Sequence, residues 1–293
     1  MAGPGARLAY WLHDVGGEPA PGENMAGEVL LETGPVRLRR CRHGPMLYFS
    51  TDRIVGRSLD VYGEYMEDEV GVFRAAIQPG QVAVDVGAHV GSHTIALARM
   101  VGTTGSVIAI EPQRVLFQML CGNAALNRLP NIHAYLAAAG STEGETVVPR
   151  IDYGRDGDFG SLILGKWTSG EPVPLVTVDS LDLPTCHLIK VDALATEGEV
   201  LTGAAETIRR NRPTLYVGNA MAEHSEALIA QILTLDYRAY WHAPPLFSRR
   251  NFLDAKGDIF ASMRAVNMLC LPRERPQSVP HLREILTPDD PRP

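Results

Sequence analysis

From Val82 onward the chain alternates short, fully apolar runs with longer segments whose apolar residues recur every three or four positions. The short runs predict strands at Val82–Val86, Val107–Ile110, Ile132–Ala137, Leu188–Val191 and Leu215–Val217. The longer segments predict helices at Ser92–Met100, Val115–Asn127, Glu197–Arg210 and Glu223–Leu235. In the third helix Val200, Leu201, Ala204, Ala205 and Ile208 share one face, with Glu206, Arg209 and Arg210 on the other. Apolar strands alternating with amphipathic helices imply a mostly parallel, doubly wound α/β sheet covered on both faces. Two final runs, Tyr237–His242 and Ala265–Leu271, predict an antiparallel pair at its edge.

The flanks read differently. Residues 1–25 are rich in Gly, Pro and Ala and predict a loose arm. Alternating runs around the turns Thr33-Gly34-Pro35 and His43-Gly44-Pro45 then predict a small antiparallel sheet, an N-terminal β extension. Asp60–Ile77 has helical spacing, and Pro79-Gly80 ends it. The stretch 140–179 is long and rich in Gly, Pro and Asp, with strand-like ends at Thr146–Ile151 and Val173–Val178. It is expected to be an inserted hairpin whose tip, IDYGRDGDFGS, lies beside the binding pocket. The division expected is an arm and sheet over 1–59, the main domain over 60–274 and a tail over 275–293.

The chemistry concentrates after the first predicted core strand. VAVDVGAHVG runs an apolar strand into Asp85 and turns on Gly87 and Gly91 before a helix opens at Ser92, with Glu111 ending the next strand. This is a glycine-turn mononucleotide site. A carboxylate aimed at the turn would repel the pyrophosphate of a dinucleotide. It suits S-adenosylmethionine, which has no phosphate and carries a sulfonium and an ammonium, so an NAD-dependent oxidoreductase ranks last. Glu111 is placed to accept both ribose hydroxyls. Gly87, Ala88 and Gly91 let the backbone approach the cofactor, and the helix N-terminus at Ser92, His93 and Thr94 can take its carboxylate. Pro112 and Gln113 follow Glu111, and the small side chains from Ala137 to Ser141, Ala138 among them, leave room for a flat adenine.

VDVGAHVGSHTIALA, IAIEP, LCGNAALN, LIKVD followed by EGEVLTGAAETIRRNRP, and YWHAPPLFSRRNF with VNMLCLPRE together resemble the FkbM family of S-adenosylmethionine-dependent methyltransferases. The resemblance runs from about Tyr62 to about Glu274. It implies a class I methyltransferase (Rossmann-like) sheet and methyl transfer to a hydroxyl of a small molecule, sugar or natural product. It also implies that Tyr62, Glu64 and Tyr65 belong to a segment folding over the cofactor. Three departures stand out. His89 replaces the usual asparagine, Leu194 and Ala195 replace a Glu-Gly pair between Asp192 and Glu197, and Gly218 stands where an acid is common. His93 matches a histidine common in the family, and in the first helical turn it is expected to be neutral.

A hydroxyl is a poor nucleophile until its proton leaves, so a base near the strand ends is expected. Asp192 is the first candidate, also facing the cofactor, with His89 and His242 as alternatives. Asp192 also reads as a helix cap. With two carboxylates missing, no metal site is expected. Trp241, His242, Pro244, Phe247, Arg249, Arg250 and Asn251 form an aromatic and basic loop that would suit a sugar or an anionic acceptor, or simply pack at the surface. The missing acids leave two other readings open: an N-methyltransferase or another sulfonium-dependent reaction, and a catalytically silent cofactor-binding protein.

The chain has 293 residues, 45% hydrophobic and 21% charged, and a net charge of −7. That balance argues against a nucleic-acid surface, and no apolar run approaches a membrane span. Four dispersed cysteines without metal-ligand spacing read as buried free thiols. With no signal peptide pattern, the expectation is a cytoplasmic enzyme acting on a small molecule, with a homo-oligomer left open.

Overall fold

The computed structural model describes residues 27–275, 279 and 281–293; the arm expected over 1–25 lies outside them. Three antiparallel strands come first, β1 (Val29–Thr33), β2 (Val36–Cys41) and β3 (Gly44–Phe49). The single helix expected at Asp60–Ile77 is two, α1 (Val55–Tyr62) and α2 (Glu67–Ala76). The break has a local cause: Gly63 and Met66 both adopt left-handed backbone, with φ of 67° and 51°.

The main domain follows as β4 (Val82–Val86), α3 (Ser92–Val101), β5 (Ser106–Ile110), α4 (Arg114–Leu126) and β6 (Ile132–Tyr135). The insertion contributes β7 (Ala138–Ala139), β8 (Gly144–Val148) and β9 (Glu171–Val176), a separate sheet in the order β7-β9-β8. The domain then resumes with β10 (Leu188–Val191), α5 (Glu197–Thr202), α6 (Ala205–Asn211), β11 (Thr214–Gly218), α7 (Ala222–Thr234), β12 (Tyr237–His242), β13 (Asn267–Pro272) and β14 (Glu284–Ile285). The helix expected over Glu197–Arg210 is therefore split. Gly203 sits at the split, and a Cβ there would fall 2.0 Å from the carbonyl oxygen of Gly140.

The large sheet has the order β14-β12-β13-β11-β10-β4-β5-β6. β11, β10, β4, β5 and β6 run parallel, and β13 pairs antiparallel with both β11 and β12. This is a doubly wound sheet whose order reverses beside β4, where such folds bind ligands. The tail from 275 does not merely trail, because β14 extends the sheet along β12. Nor does the N-terminal sheet stand apart. Met46, Tyr48 and Phe49 share a core with Ile95 of α3, Leu116 of α4 and Phe159 of the insertion.

Alternation along β4 sends its residues to opposite faces. Val84 and Val86 join the core with Val200, Ile208 and Ile229, whereas Ala83 packs with Phe73 and Leu97 under α2 and α3. Asp85 follows Ala83 to that second face. No helix among the described residues is long and apolar enough to cross a membrane. All four cysteines are free; Cys121 is exposed rather than buried.

Candidate active site

A cavity of about 230 Å³ opens beyond the carboxyl ends of β4, β5 and β10. The turn from β4 into α3 forms one wall. Gly87 has φ of 76°, and a Cβ there would lie 2.0 Å from the carbonyl oxygen of Asp192, so only glycine lets the ends of β4 and β10 touch. Gly91, at φ 86°, is held against Leu120 and lies behind the cavity wall. Gly87, Ala88, His89, Ser92 and His93 face the cavity.

Glu111 lies on this wall, and the local backbone holds its carboxylate rigidly. The His89 N–H donates to Oε2 at 2.8 Å and the Gln113 N–H to Oε1 at 2.9 Å. Each oxygen keeps a second lone pair for a ligand hydroxyl. Burial raises the pKa of Glu111, opposed by His89 and the two N–H donors. Pro112, Gln113, Ala138 and Ala139 continue the wall. The amide of Gln113 is already engaged, donating to the Phe159 carbonyl at 2.6 Å and accepting from the Tyr153 hydroxyl at 3.0 Å. It ties the insertion to the cavity.

Asp85 does not face the cavity, contrary to the expectation for this acid. It is fully buried, because strand alternation turns it under α3. Lys190 Nζ donates to Oδ1 at 2.9 Å and the Thr94 hydroxyl to Oδ2 at 2.6 Å. The register of β4 against β10 sets Lys190 directly beside Asp85. Burial disfavours the charged form of Asp85, but Lys190 and Thr94 outweigh it and hold the carboxyl below its ordinary range. Thr94 is thereby committed to Asp85 rather than to a ligand.

Two other expectations fail on geometry. The Glu64 carboxylate accepts from Arg42 and from the Phe252 N–H, both at 2.7 Å, and does not line the cavity. Burial lifts its pKa to about 7 against the pull of Arg42. Its neighbour Tyr65 reaches the cavity instead. His242 is also absent from the lining; it is buried and shares a hydrogen bond of 2.7 Å with the Tyr216 hydroxyl. Trp241, Pro244, Phe247, Arg249, Arg250 and Asn251 do not reach the cavity either, and Phe247 packs on Tyr62 at 5.4 Å between ring centroids.

Asp192 does face the cavity, with 59% of its side chain exposed, and its Oδ2 lies 3.9 Å from Lys190 Nζ. Glu197 is buried beneath it. Burial, with help from Asp192, raises Glu197 to about 7. A Cβ on Gly218 would lie 3.5 Å from both Asp192 Oδ1 and Glu197 Oε1, so an acid at 218 would make a third carboxylate at this point.

Each cavity histidine faces a carboxylate from the segment preceding β4. His89, held at φ 54°, has Nε2 3.4 Å from Asp52 Oδ2. His93 has Nε2 3.6 Å from Glu69 Oε2, and its ring lies against Tyr65. Burial and then Lys190 push His93 down to about 3, so it is neutral. Burial and Asp192 push Glu69 up to about 8. Neither Asp52 nor Glu69 carries a local sequence signal. Lys190 does, as a lysine inside an apolar strand, and so does Asp158 at the glycine-rich tip of the insertion.

The model of the FkbM methyltransferase domain matches residues 85–240, just over half of the chain. No curated protein matches the sequence. Among solved structures, the chain is similar to methyltransferase FkbM from Methylobacillus flagellatus at 19% identity and a TM-score of 0.44, covering 64% of this chain and 43% of that one. It thus spans less than half the length of that protein. It is also similar to precorrin-6y C5,15-methyltransferase from Geobacter metallireducens (12% identity, 70% and 89% covered, TM-score 0.44). A SAM-dependent O-methyltransferase from Thermotoga maritima gives 12% identity, 83% and 80% coverage, and a TM-score of 0.43. With the glycine turn, the anchored Glu111 and the reversal of strand order beside β4 in place, the match over 85–240 identifies the chain as a member of the FkbM methyltransferase family.

Proposed function

We propose that this chain transfers the methyl group of S-adenosylmethionine to a hydroxyl of a small molecule, with Asp192 as the base. The residues present fit the cofactor. Glu111 keeps free lone pairs for two ribose hydroxyls, the first turn of α3 presents N–H groups for a carboxylate, and Ala138 and Ala139 leave space for a flat base. When bound, S-adenosylmethionine supplies a sulfonium methyl whose bond to sulfur breaks, the electron pair staying on sulfur, as the acceptor oxygen bonds the carbon.

The protein's contribution is alignment and proton removal. Gly87 and Ala88 bring the backbone close to the reacting region, and Tyr65 and the insertion narrow the access of water. Asp192 accepts the hydroxyl proton, and Lys190 at 3.9 Å keeps a positive charge beside it. One observation carries this reading: Asp192 presents an exposed carboxylate to the cavity while Asp85 and Glu111 are committed to other partners.

Asp192→Asn should lower the methyl-transfer rate by roughly 10²–10⁴-fold, the range for an acid–base group, with cofactor affinity nearly unchanged. Unchanged turnover in this variant removes Asp192 as the base and passes the role to His89.

A further inference from the structure

Glu111 and the insertion meet in one side chain. Gln113 is buried and lines the cavity, and its N–H holds Glu111 Oε1 at 2.9 Å. Its amide reaches the other way. The nitrogen donates to the Phe159 carbonyl at 2.6 Å, and the oxygen accepts from the Tyr153 hydroxyl at 3.0 Å. A carbonyl can only accept, so these two partners fix the orientation of the amide.

The segment that Gln113 grips is thin. Among residues 152–161 only Phe159 is buried, and its ring stands edge-on to Phe49 and Tyr153, with centroids 6.0 and 4.9 Å away. Two backbone bonds fasten the segment to the turn after β3. The Arg53 N–H donates to the Gly157 carbonyl at 2.8 Å, and the Gly157 N–H donates to the Thr51 carbonyl at 3.0 Å. Asp158, Gly160, Ser161, Leu162 and Leu164 then line the cavity. Leu162 and Leu164 pack on the cluster of Ala138, Val148 and Val173, the side assigned to the adenine. The tip of the insertion is thus strapped across the cavity, from the start of α4 to the N-terminal sheet.

A ligand seated beneath a strap leaves only when the strap moves. Contacts that hold the strap closed therefore slow release, and by linkage the bound ligand holds the strap in turn. We propose that residues 153–164 form a wall of the cofactor site, closed over the nucleoside by Gln113, a positioning residue acting through Phe159 and Tyr153. This inference rests on reading the cavity as a site for S-adenosylmethionine.

The test measures association and release of S-adenosylhomocysteine by surface plasmon resonance in wild type, Gln113→Leu, Tyr153→Phe and the double variant. Gln113→Leu should speed release about 10-fold, with association changed little. Tyr153→Phe keeps the ring, loses one hydrogen bond and should speed release about 3-fold or more. The double variant should release no faster than Gln113→Leu, because the Tyr153 hydroxyl acts through that amide, whereas unrelated structural losses would add. Amide exchange over 153–161 should slow when S-adenosylhomocysteine binds and quicken in Gln113→Leu. Wild-type release in both single variants, additive effects in the double, or exchange indifferent to the ligand overturns the inference and leaves methyl transfer standing. If Gln113→Leu does not fold, Tyr153→Phe and the wild-type exchange decide. Failure of the wild type to bind S-adenosylhomocysteine overturns the methyl-transfer reading and this inference with it.

Discussion

Lys190 Nζ lies 2.9 Å from Asp85 Oδ1 on adjacent parallel strands, and both side chains are almost completely shielded from solvent. The acid that the glycine turn makes conspicuous is thus half of an internal ion pair bracing β4 against β10. The pair touches the turn after β4 at both ends, Asp85 through the Thr94 hydroxyl and Lys190 through the Gly87 carbonyl.

Removing one partner of a buried pair strands a charge. Lys190→Met should destabilise the fold by about 3–5 kcal/mol, read by chemical denaturation. Asp85→Asn combined with Lys190→Met should recover most of that loss, because no unpaired charge remains. A single variant as stable as wild type would show that the pair does not brace the sheet.

Glu111 is the residue proposed to anchor the ribose. Glu111→Gln keeps the shape but loses the charge, and calorimetry should find S-adenosylhomocysteine bound about 10–100-fold more weakly, the range for a hydrogen bond to a charged group. Unchanged affinity in a folded variant would remove the ribose assignment.

Stability should fall as pH rises from about 6.5 to about 8, through Glu69, whose pKa goes from 4.5 to about 8 on burial. Above 4.5 the unfolded chain has released this proton while the folded chain retains it, so rising pH favours unfolding until the folded pKa is passed. Glu64 and Glu197, both near 7, act with the same sign. Below 6.5, buried neutral His93 and His242 pull the other way, since their folded values are about 3 and about 4. Denaturation midpoints across this range should show a flatter slope in Glu69→Gln than in wild type. Identical slopes would place the proton elsewhere.

Chelation by EDTA is expected to leave methyl transfer unchanged. Among the described residues no group of three or more His, Cys, Asp or Glu side chains is arranged to hold a metal ion, which leaves Asp192 without the converging oxygen ligands a divalent ion needs. Activity lost to chelator and restored by magnesium would make Asp192 a ligand instead of a base.

The strand-turn-helix around Gly87 was legible because its signals are local: an apolar run, glycines with obligatory backbone angles, and a helix start. Glu111 was legible for the same reason, at the end of the next strand. The aim of Asp85 was not, since a carboxylate at a strand end can point into the cleft or under a helix, and only its partner on β10 decides. Glu64 and His242 went astray similarly. Their neighbours in sequence mark the site, but their own side chains turn to Arg42 and Tyr216. The stretches Asp60–Ile77 and Glu197–Arg210 each read as one helix in sequence, because apolar periodicity continues across the left-handed residues and close backbone contact that break them.

Sequence alone determined the layers of this protein, its parallel sheet and the turn that opens a cavity at the end of β4, because alternation of apolar periods and glycine placement act over a few residues. The tertiary structure decided which carboxylates serve the cavity and which brace the sheet. Asp52 faces His89, Glu69 faces His93 and Lys190 holds Asp85 only because strand register and helix packing bring together groups 24 to 105 residues apart in the chain. Such pairings depend on distance and burial in the folded chain, and electrostatic energy follows those rather than sequence separation.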